Sequence, residues 1–392
     1  MTSRDSSRVT RRPSALVRRR RFFAALIAAL VILGGASAAI AAIALSRTTD
    51  AAPVPSPTAT TASGRTPTPT PAPTPPTLTA SEQLLATTDD PNACAVSFEG
   101  DGIADAPQLQ TQGTLYSGLP IPSRDGAVFA GWYATPADAA SFNIPARVNG
   151  SEVVACTDQQ VTLHGAWKSP EENAAEDARI PIMMYHQFTT KPEGESGWLR
   201  GNYAYIGDFD AHMNHIATGG FYLPTWDELS AFIDARLWLP NHSVIITDDD
   251  ADQTWFDLAA PVVDKYKLLA TSFMITAYRQ DAPPNPYVLR RSHTHDMHKA
   301  GADGEGQMVN LSAEEIAADL EKSAQVLGVK EVIAYPFGHF NETSKEGLRL
   351  AGFELGRTIE PGYVTIGTDK LALPVQRINY GMGLDAVTRL IG

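Results

Sequence analysis

Short apolar, β-rich runs at residues 180–185, 243–247, 271–276 and 332–335 alternate with segments of helical apolar period at 208–217, 226–235, 256–266, 313–327 and 344–351. Strands separated by helices in this way pair in parallel, because each helix carries the chain back across the sheet before the next strand begins. The expected fold class is therefore α/β, a distorted (β/α) barrel occupying residues 178–392. Ser312 with Glu315 forms a capping box at the start of one of these helices.

The strand 243–247 runs straight into Asp248, Asp249, Asp250 and, past Ala251, Asp252. Adjacent carboxylates at the C-terminal end of a buried strand repel one another and resist ionisation unless a cation binds them. The alternative is a solvated acidic turn. A second cluster, Ser292-His293-Thr294-His295-Asp296-Met297-His298, follows a further short run at 287–291. Imidazoles that converge with a carboxylate make an open metal site of His-His-Asp type, with positions left for water and substrate. His212 and His215 share one face of the 208–217 helix, but no carboxylate partner is evident and both are expected in solvent.

The N-terminal part is organised differently. Residues 1–21 hold eight arginines against Asp5, a basic arm of about +7. With a formal net charge of -13 for the whole chain, the remainder carries about -20, which excludes nucleic acid as the main partner. Residues 22–45 are apolar and, at about 1.5 Å per residue, long enough to cross a bilayer. Arginines on one flank place the arm in the cytoplasm and everything after it outside, as a single-pass signal anchor. A signal peptide cleaved near Ala36-Ser37-Ala38 is the other reading, and both export the bulk of the chain. Residues 46–92 are expected to be a disordered Pro/Thr-rich linker that could hold the following domains tens of ångströms from the membrane.

Residues 93–168 hold β-type runs at 95–98, 127–133, 152–156 and 160–167, expected to form a small β-rich module. Cys94 and Cys156, the only cysteines, lie in the exported part, where a bridge between them is expected to persist. The pattern Val96-Ser97-Phe98, Phe129-Ala130-Gly131-Trp132-Tyr133 and Val161 to Trp167 resembles one internalin-type B-repeat. That resemblance implies a β-grasp-like fold and a role in presentation or cell-wall contact.

The segment Thr247-Asp248-Asp249-Asp250-Ala251 resembles the T-F-D-D-G motif of polysaccharide deacetylases of the nodulation-protein type, and His293 to His298 resembles that family's second motif. Pro181 to His186 and Ala334-Tyr335-Pro336-Phe337-Gly338 are similar to the opening strand and third motif of the branch acting on poly-N-acetylglucosamine. The resemblance implies that Asp249 is the catalytic base, that Asp250, His293 and His298 hold the metal, and that His186 is the general acid. It implies that Arg377 keeps a catalytic carboxylate ionised, and that Tyr335, Pro336 and Phe337 supply substrate contacts and a backbone oxyanion donor. Zinc is the expected ion, with cobalt, nickel or iron as alternatives. Asp248 in place of the motif phenylalanine adds a carboxylate, and Ala251 in place of its glycine removes a permissive turn residue.

Together these features imply a metal-dependent hydrolase removing N-acetyl groups from an extracellular N-acetylglucosamine polysaccharide, either poly-N-acetylglucosamine or peptidoglycan. The partners implied are the glycan, the membrane through the N-terminal helix, and the cell wall through the repeat module. An O-acetyl esterase acting on a xylan-type glycan is the alternative within enzymes. A non-catalytic wall-binding or adhesive protein is the alternative outside them.

Overall fold

The computed structural model describes residues 77–278 and 284–392. The basic arm, the apolar run 22–45 and the linker as far as residue 76 lie outside the described residues. Among the described residues no helix is long and apolar enough to cross a membrane.

The first strands are β1 (Ala93–Glu99), β2 (Gln108–Thr111), β3 (Val128–Tyr133), β4 (Arg147–Val148) and β5 (Gln160–Lys168), which form one sheet in the order β2-β1-β5-β3-β4. β1 and β5 pair in parallel at its centre, and the remaining pairs are antiparallel. Cys94 and Cys156 are joined by a disulfide with their Cα atoms 6.2 Å apart. Two expectations need correction. Residues 152–156 form no strand, and only Val153 makes an isolated bridge to Leu115. The linker does not extend to residue 92, because Thr79 caps a helix at Ala80–Leu85 whose buried Ser81 bonds Ser97 of β1. A further short helix, Pro170–Ala175, follows β5 and starts on a capping box of Ser169 and Glu172.

The second set of strands is β6 (Ile182–Tyr185), β7 (Gln187–Thr189), β8 (Tyr203–Tyr205), β9 (Ile245–Asp248), β10 (Ala270–Met274), β11 (Val288–Ser292), β12 (Val332–Ala334), β13 (Leu355–Pro361) and β14 (Leu373–Arg377). β6 and β9 to β14 close into a parallel barrel, with β14 pairing back onto β6. Alternate residues of each strand serve opposite layers, as the two-residue strand period demands. Ile182, Met184, Ile245, Val332 and Ala334 belong to the inner core, whereas Met183, Tyr185 and Ile246 pack outward with residues of the helices Ile206–Gly219 and Ala260–Tyr266.

The inner core does not stop at the barrel. Cys94, Val96, Phe129, Trp132 and Leu163 of the β module belong to the same apolar cluster as the barrel interior. A cavity of about 150 Å³ at the junction is lined by Leu119 and Trp132 on one side and by Leu269, Leu289 and Glu331, at the starts of β10, β11 and β12, on the other. The module therefore sits against the N-terminal mouth. Backbone bonds stitch it there: Phe129 N donates to Arg236 O at 2.9 Å, and Trp238 N donates to Phe129 O at 2.8 Å. The buried Arg147 guanidinium donates to Trp238 O at 2.9 Å, faces the Glu228 carboxylate at 3.4 Å, and lies over the Tyr222 ring. Gly131, at φ +101°, leaves room for that guanidinium, since an added Cβ would fall 2.2 Å from Arg147 Nε.

On the outer face, His212 is fully buried rather than solvated, with Nδ1 3.0 Å from the Tyr185 hydroxyl. Burial lowers its pKa, and the charge of His215 adds to this, against Asp208 and the backbone bonds near Met382 and Gly383. A histidine with a depressed folded pKa stabilises the protein above its unfolded pKa of about 6.5, and that contribution is lost as pH falls through the folded value. His212→Asn is therefore expected to show a shallower fall in melting temperature from pH 7 to pH 5 than the wild type. Arg147→Ala leaves Glu228 buried without its cation and is expected to lower unfolding free energy by about 3–5 kcal/mol, read as a shift in the urea midpoint.

Candidate metal centre

Every strand of a parallel barrel delivers its C-terminal end to the same mouth, so residues distant in sequence meet there. β9 ends in Asp248 and is followed by Asp249 and Asp250; β11 ends in Ser292 and is followed by His293. The ligand atoms of Asp250, His293 and His298 all lie within 4.8 Å of one another. Asp250 Oδ1 is 3.4 Å from His293 Nε2 and 3.3 Å from His298 Nε2, and it is buried with no hydrogen-bond partner. Ligands about 2.0–2.1 Å from a tetrahedral ion stand about 3.3–3.4 Å from one another. The spacing suits a shared divalent ion better than N–H···O bonds, which close to about 2.7–3.2 Å.

The ring nitrogens are oriented for that task. His293 Nδ1 lies 2.8 Å from Ala334 O, and a carbonyl can only accept, so the proton sits on Nδ1 and the Nε2 lone pair faces Asp250. The loop between the two histidines is held by the Asp319 carboxylate, which accepts from His295 N at 2.7 Å and Asp296 N at 3.0 Å. His295 turns away from the cluster, its Nδ1 3.0 Å from the Thr276 hydroxyl. The His298 ring packs 4.2 Å from Phe337, centroid to centroid.

The three aspartates are handled separately. Asp248 is fully buried, and burial together with the charges of Asp249 and Asp250 raises its pKa well above the usual carboxylate range; the Ser272 hydroxyl donates to its Oδ2. Burial also opposes the charge on Asp249, but Arg357, His186 and His293 more than offset it and lower its pKa. Asp250 is lowered too: burial raises it, and the neighbouring imidazoles of His293 and His298 outweigh that.

The positions expected from sequence divide into those brought together and those that are not. Asp249, Asp250, His293 and His298 share one cleft with His186, whose Nε2 is 3.7 Å from Asp249 Oδ2. Burial lowers the His186 pKa, against Asp249 and Asp250. Arg377 lines that cleft but does not pair with Asp249. Its guanidinium bonds Asn379 Oδ1 at 3.1 Å and Asn202 Oδ1 at 2.8 Å. The cation on Asp249 is Arg357, fully buried on β13, which also donates to Thr358 O and lies over the Phe273 ring. Sequence reading missed it because Gly356, Arg357 and Thr358 break the apolar run that marks a buried strand. An arginine within β-type residues, one strand before Arg377, was the available signal.

Tyr335 also departs from expectation. Its N–H donates to Arg357 O at 3.0 Å and its hydroxyl to Leu371 O at 2.9 Å, and Pro336 has no N–H, so neither can be the oxyanion donor. Phe337 alone of the three stands at the cleft with an N–H to offer, its backbone held at φ +60°. Asp250 (φ +72°), Ala251 (φ +48°) and Thr294 (φ +69°) are likewise left-handed at this mouth, the kind of backbone strain that collects at functional sites.

The polysaccharide deacetylase family model matches residues 239–356. The chain is 29% identical over 156 residues to the poly-beta-1,6-N-acetyl-D-glucosamine N-deacetylase of Staphylococcus aureus (strain MRSA252), covering 34% of this chain and 54% of the relative. The Staphylococcus epidermidis protein of the same name is also 29% identical over 156 residues, with the same coverage. The chain thus spans about half the length of the curated relatives it matches. Among solved structures, a Streptococcus pyogenes deacetylase in complex with acetate superposes with a TM-score of 0.47 at 20% identity, covering 55% of this chain and 99% of that one.

Ala251 is fully buried at a φ that costs an L-residue about 1–2 kcal/mol. Ala251→Gly relieves that strain and loosens the unfolded chain, so a net gain of about 0.5–1 kcal/mol in unfolding free energy is expected by chemical denaturation.

Proposed function

We propose that this chain, which carries a polysaccharide deacetylase domain, is a metal-dependent N-deacetylase acting on a glycan of N-acetylglucosamine units outside the cell, with poly-N-acetylglucosamine favoured over peptidoglycan. The observation that carries the reading is the convergence of Asp250, His293 and His298 beside a second carboxylate, Asp249, kept ionised by a buried guanidinium. The substrate assignment rests on the similarity to enzymes named for poly-beta-1,6-N-acetyl-D-glucosamine. Export through the 22–45 segment and anchoring there are part of the same proposal.

Asp250, His293 and His298 would hold the ion, with zinc as the expected metal and cobalt, nickel or iron as alternatives. When bound, such an ion supplies Lewis acidity toward an acetamide carbonyl and lowers the pKa of water. Asp249 accepts the proton of the attacking water, and Arg357 fixes its carboxylate and keeps it charged for that purpose. The Phe337 N–H is the backbone donor for the developing oxyanion. His186, on the far side of the Asp249 carboxylate from Arg357's bonded oxygen, delivers a proton to the departing amine. Burial disfavours its charged form, and the carboxylates of Asp249 and Asp250 oppose that. The products are acetate and a glucosamine unit.

The departures from the family motif do not break this arrangement. Asp248 is turned to Ser272 and burial opposes a charge on it, and Ala251 adopts the left-handed turn that glycine would. The full chain should release acetate from β-1,6-linked N-acetylglucosamine oligomers, and a chelator should abolish the release until divalent metal is restored. Asp249→Asn removes the general base and is expected to lower kcat about 10²–10⁴-fold while metal content is kept. Turnover that survives both treatments would contradict the proposal.

A further inference from the structure

Trp198 is 91% exposed, more than any other large apolar side chain among the described residues, and it stands at the rim of the cleft that holds the metal cluster. An indole held in water forgoes the burial that its large apolar face would gain elsewhere. The loop that carries it is nevertheless fixed. Asn202 accepts from Arg377 at 2.8 Å, Tyr380 N donates to Gly201 O at 3.1 Å, and the Tyr380 hydroxyl donates to Pro192 O at 2.8 Å. Arg200 donates to Glu193 O at 2.7 Å and lies 4.6 Å over the Tyr380 ring. The segment after β14 thus clamps the loop at both ends and holds the indole out over the site.

We propose that Trp198 is a stacking platform for a pyranose ring of the glycan, next to the unit whose acetamide reaches Asp250, His293 and His298, and that Arg377 is the positioning residue holding the platform through Asn202. This rests on the deacetylase reading and deepens it. A pyranose presents C–H groups on its faces and hydroxyls at its edge, so a flat aromatic face covers the apolar part while the indole N–H remains at the wet margin. The cleft, about 420 Å³, has the size of a ligand pocket. Stacking remote from the scissile amide is the same in ground and transition states, so it acts on KM and leaves kcat nearly alone. The platform accordingly makes this a chain-reading enzyme, preferring oligomers to the single sugar.

The test uses the full chain with β-1,6-linked N-acetylglucosamine oligomers of one to five units. Trp198→Ala is expected to raise KM for the pentamer about three- to tenfold with kcat changed less than about twofold, and to flatten the dependence on chain length. Trp198→Phe should recover most of the affinity. Arg377→Ala should raise KM similarly, Arg377→Lys should restore part of it, and the Trp198→Ala/Arg377→Ala pair should lose no more than either change alone. Pentamer titrated into chelator-treated wild type should shift indole emission, and Trp198→Phe should lose that shift. An emission shift without acetate release would sink the deacetylase reading and leave the platform standing. Acetate release with unaltered KM in Trp198→Ala would overturn the platform alone, as would loss of lipid-vesicle binding in place of a KM effect. Additive losses in the pair would overturn the role of Arg377.

Discussion

Three adjacent carboxyl groups at the end of one buried strand can coexist only if each meets a different partner, and the architecture of this protein's barrel mouth follows from that constraint. Burial opposes a charge on Asp248, whose carboxyl accepts from Ser272. Asp249 is paired with Arg357, a fully buried guanidinium whose nearest other partners are a backbone carbonyl, a methionine sulfur and an aromatic ring. Asp250 points its unpartnered Oδ1 at two imidazole nitrogens. Remove the guanidinium and Asp249 loses the largest of the influences that offset its burial, leaving the imidazoles of His186 and His293.

The opposite mouth answers a different problem. A parallel barrel leaves the N-terminal ends of its strands open, and here the β module covers them, its core continuous with the barrel interior. Arg147, Asn149 and Tyr222 converge on the Glu228 carboxylate, so the joint holds a buried ion pair as well as apolar packing. A module attached in this way is part of the barrel's floor and cannot swing as an independent spacer. Whatever it contacts is thereby held in fixed geometry relative to the site at the far mouth.

The sequence made much of this legible and for identifiable reasons. β6, β9, β10 and β12 were visible because residues buried on both faces read as unbroken apolar runs, and the helix at Ala313–Leu327 was bounded by its own capping box and a terminal glycine. The cluster of Asp250, His293 and His298 was visible because its members gather locally in sequence at two strand ends. β13 and β14 were not, since each interrupts its apolar pattern with polar residues whose partners come from elsewhere: Arg357 answers Asp249, and Gln376 answers Gly362 O. The family resemblance had placed Arg377 on the carboxylate that Arg357 holds. Local pattern reports which residues can be buried, whereas pairing across the barrel depends on register, which a single chain does not display. His212 shows the converse error, a polar residue on a helix taken for solvent-facing that is buried against Tyr185.

The central claim is that one divalent ion is shared by Asp250, His293 and His298 beside an ionised Asp249. Anomalous diffraction from zinc-soaked crystals tests it directly. The account predicts a single strong peak about 2.0–2.2 Å from Asp250 Oδ1, His293 Nε2 and His298 Nε2, with Asp249 outside bonding distance and still paired to Arg357. A peak that omits Asp250, or full zinc loading at a different place with this cluster left empty, would contradict it.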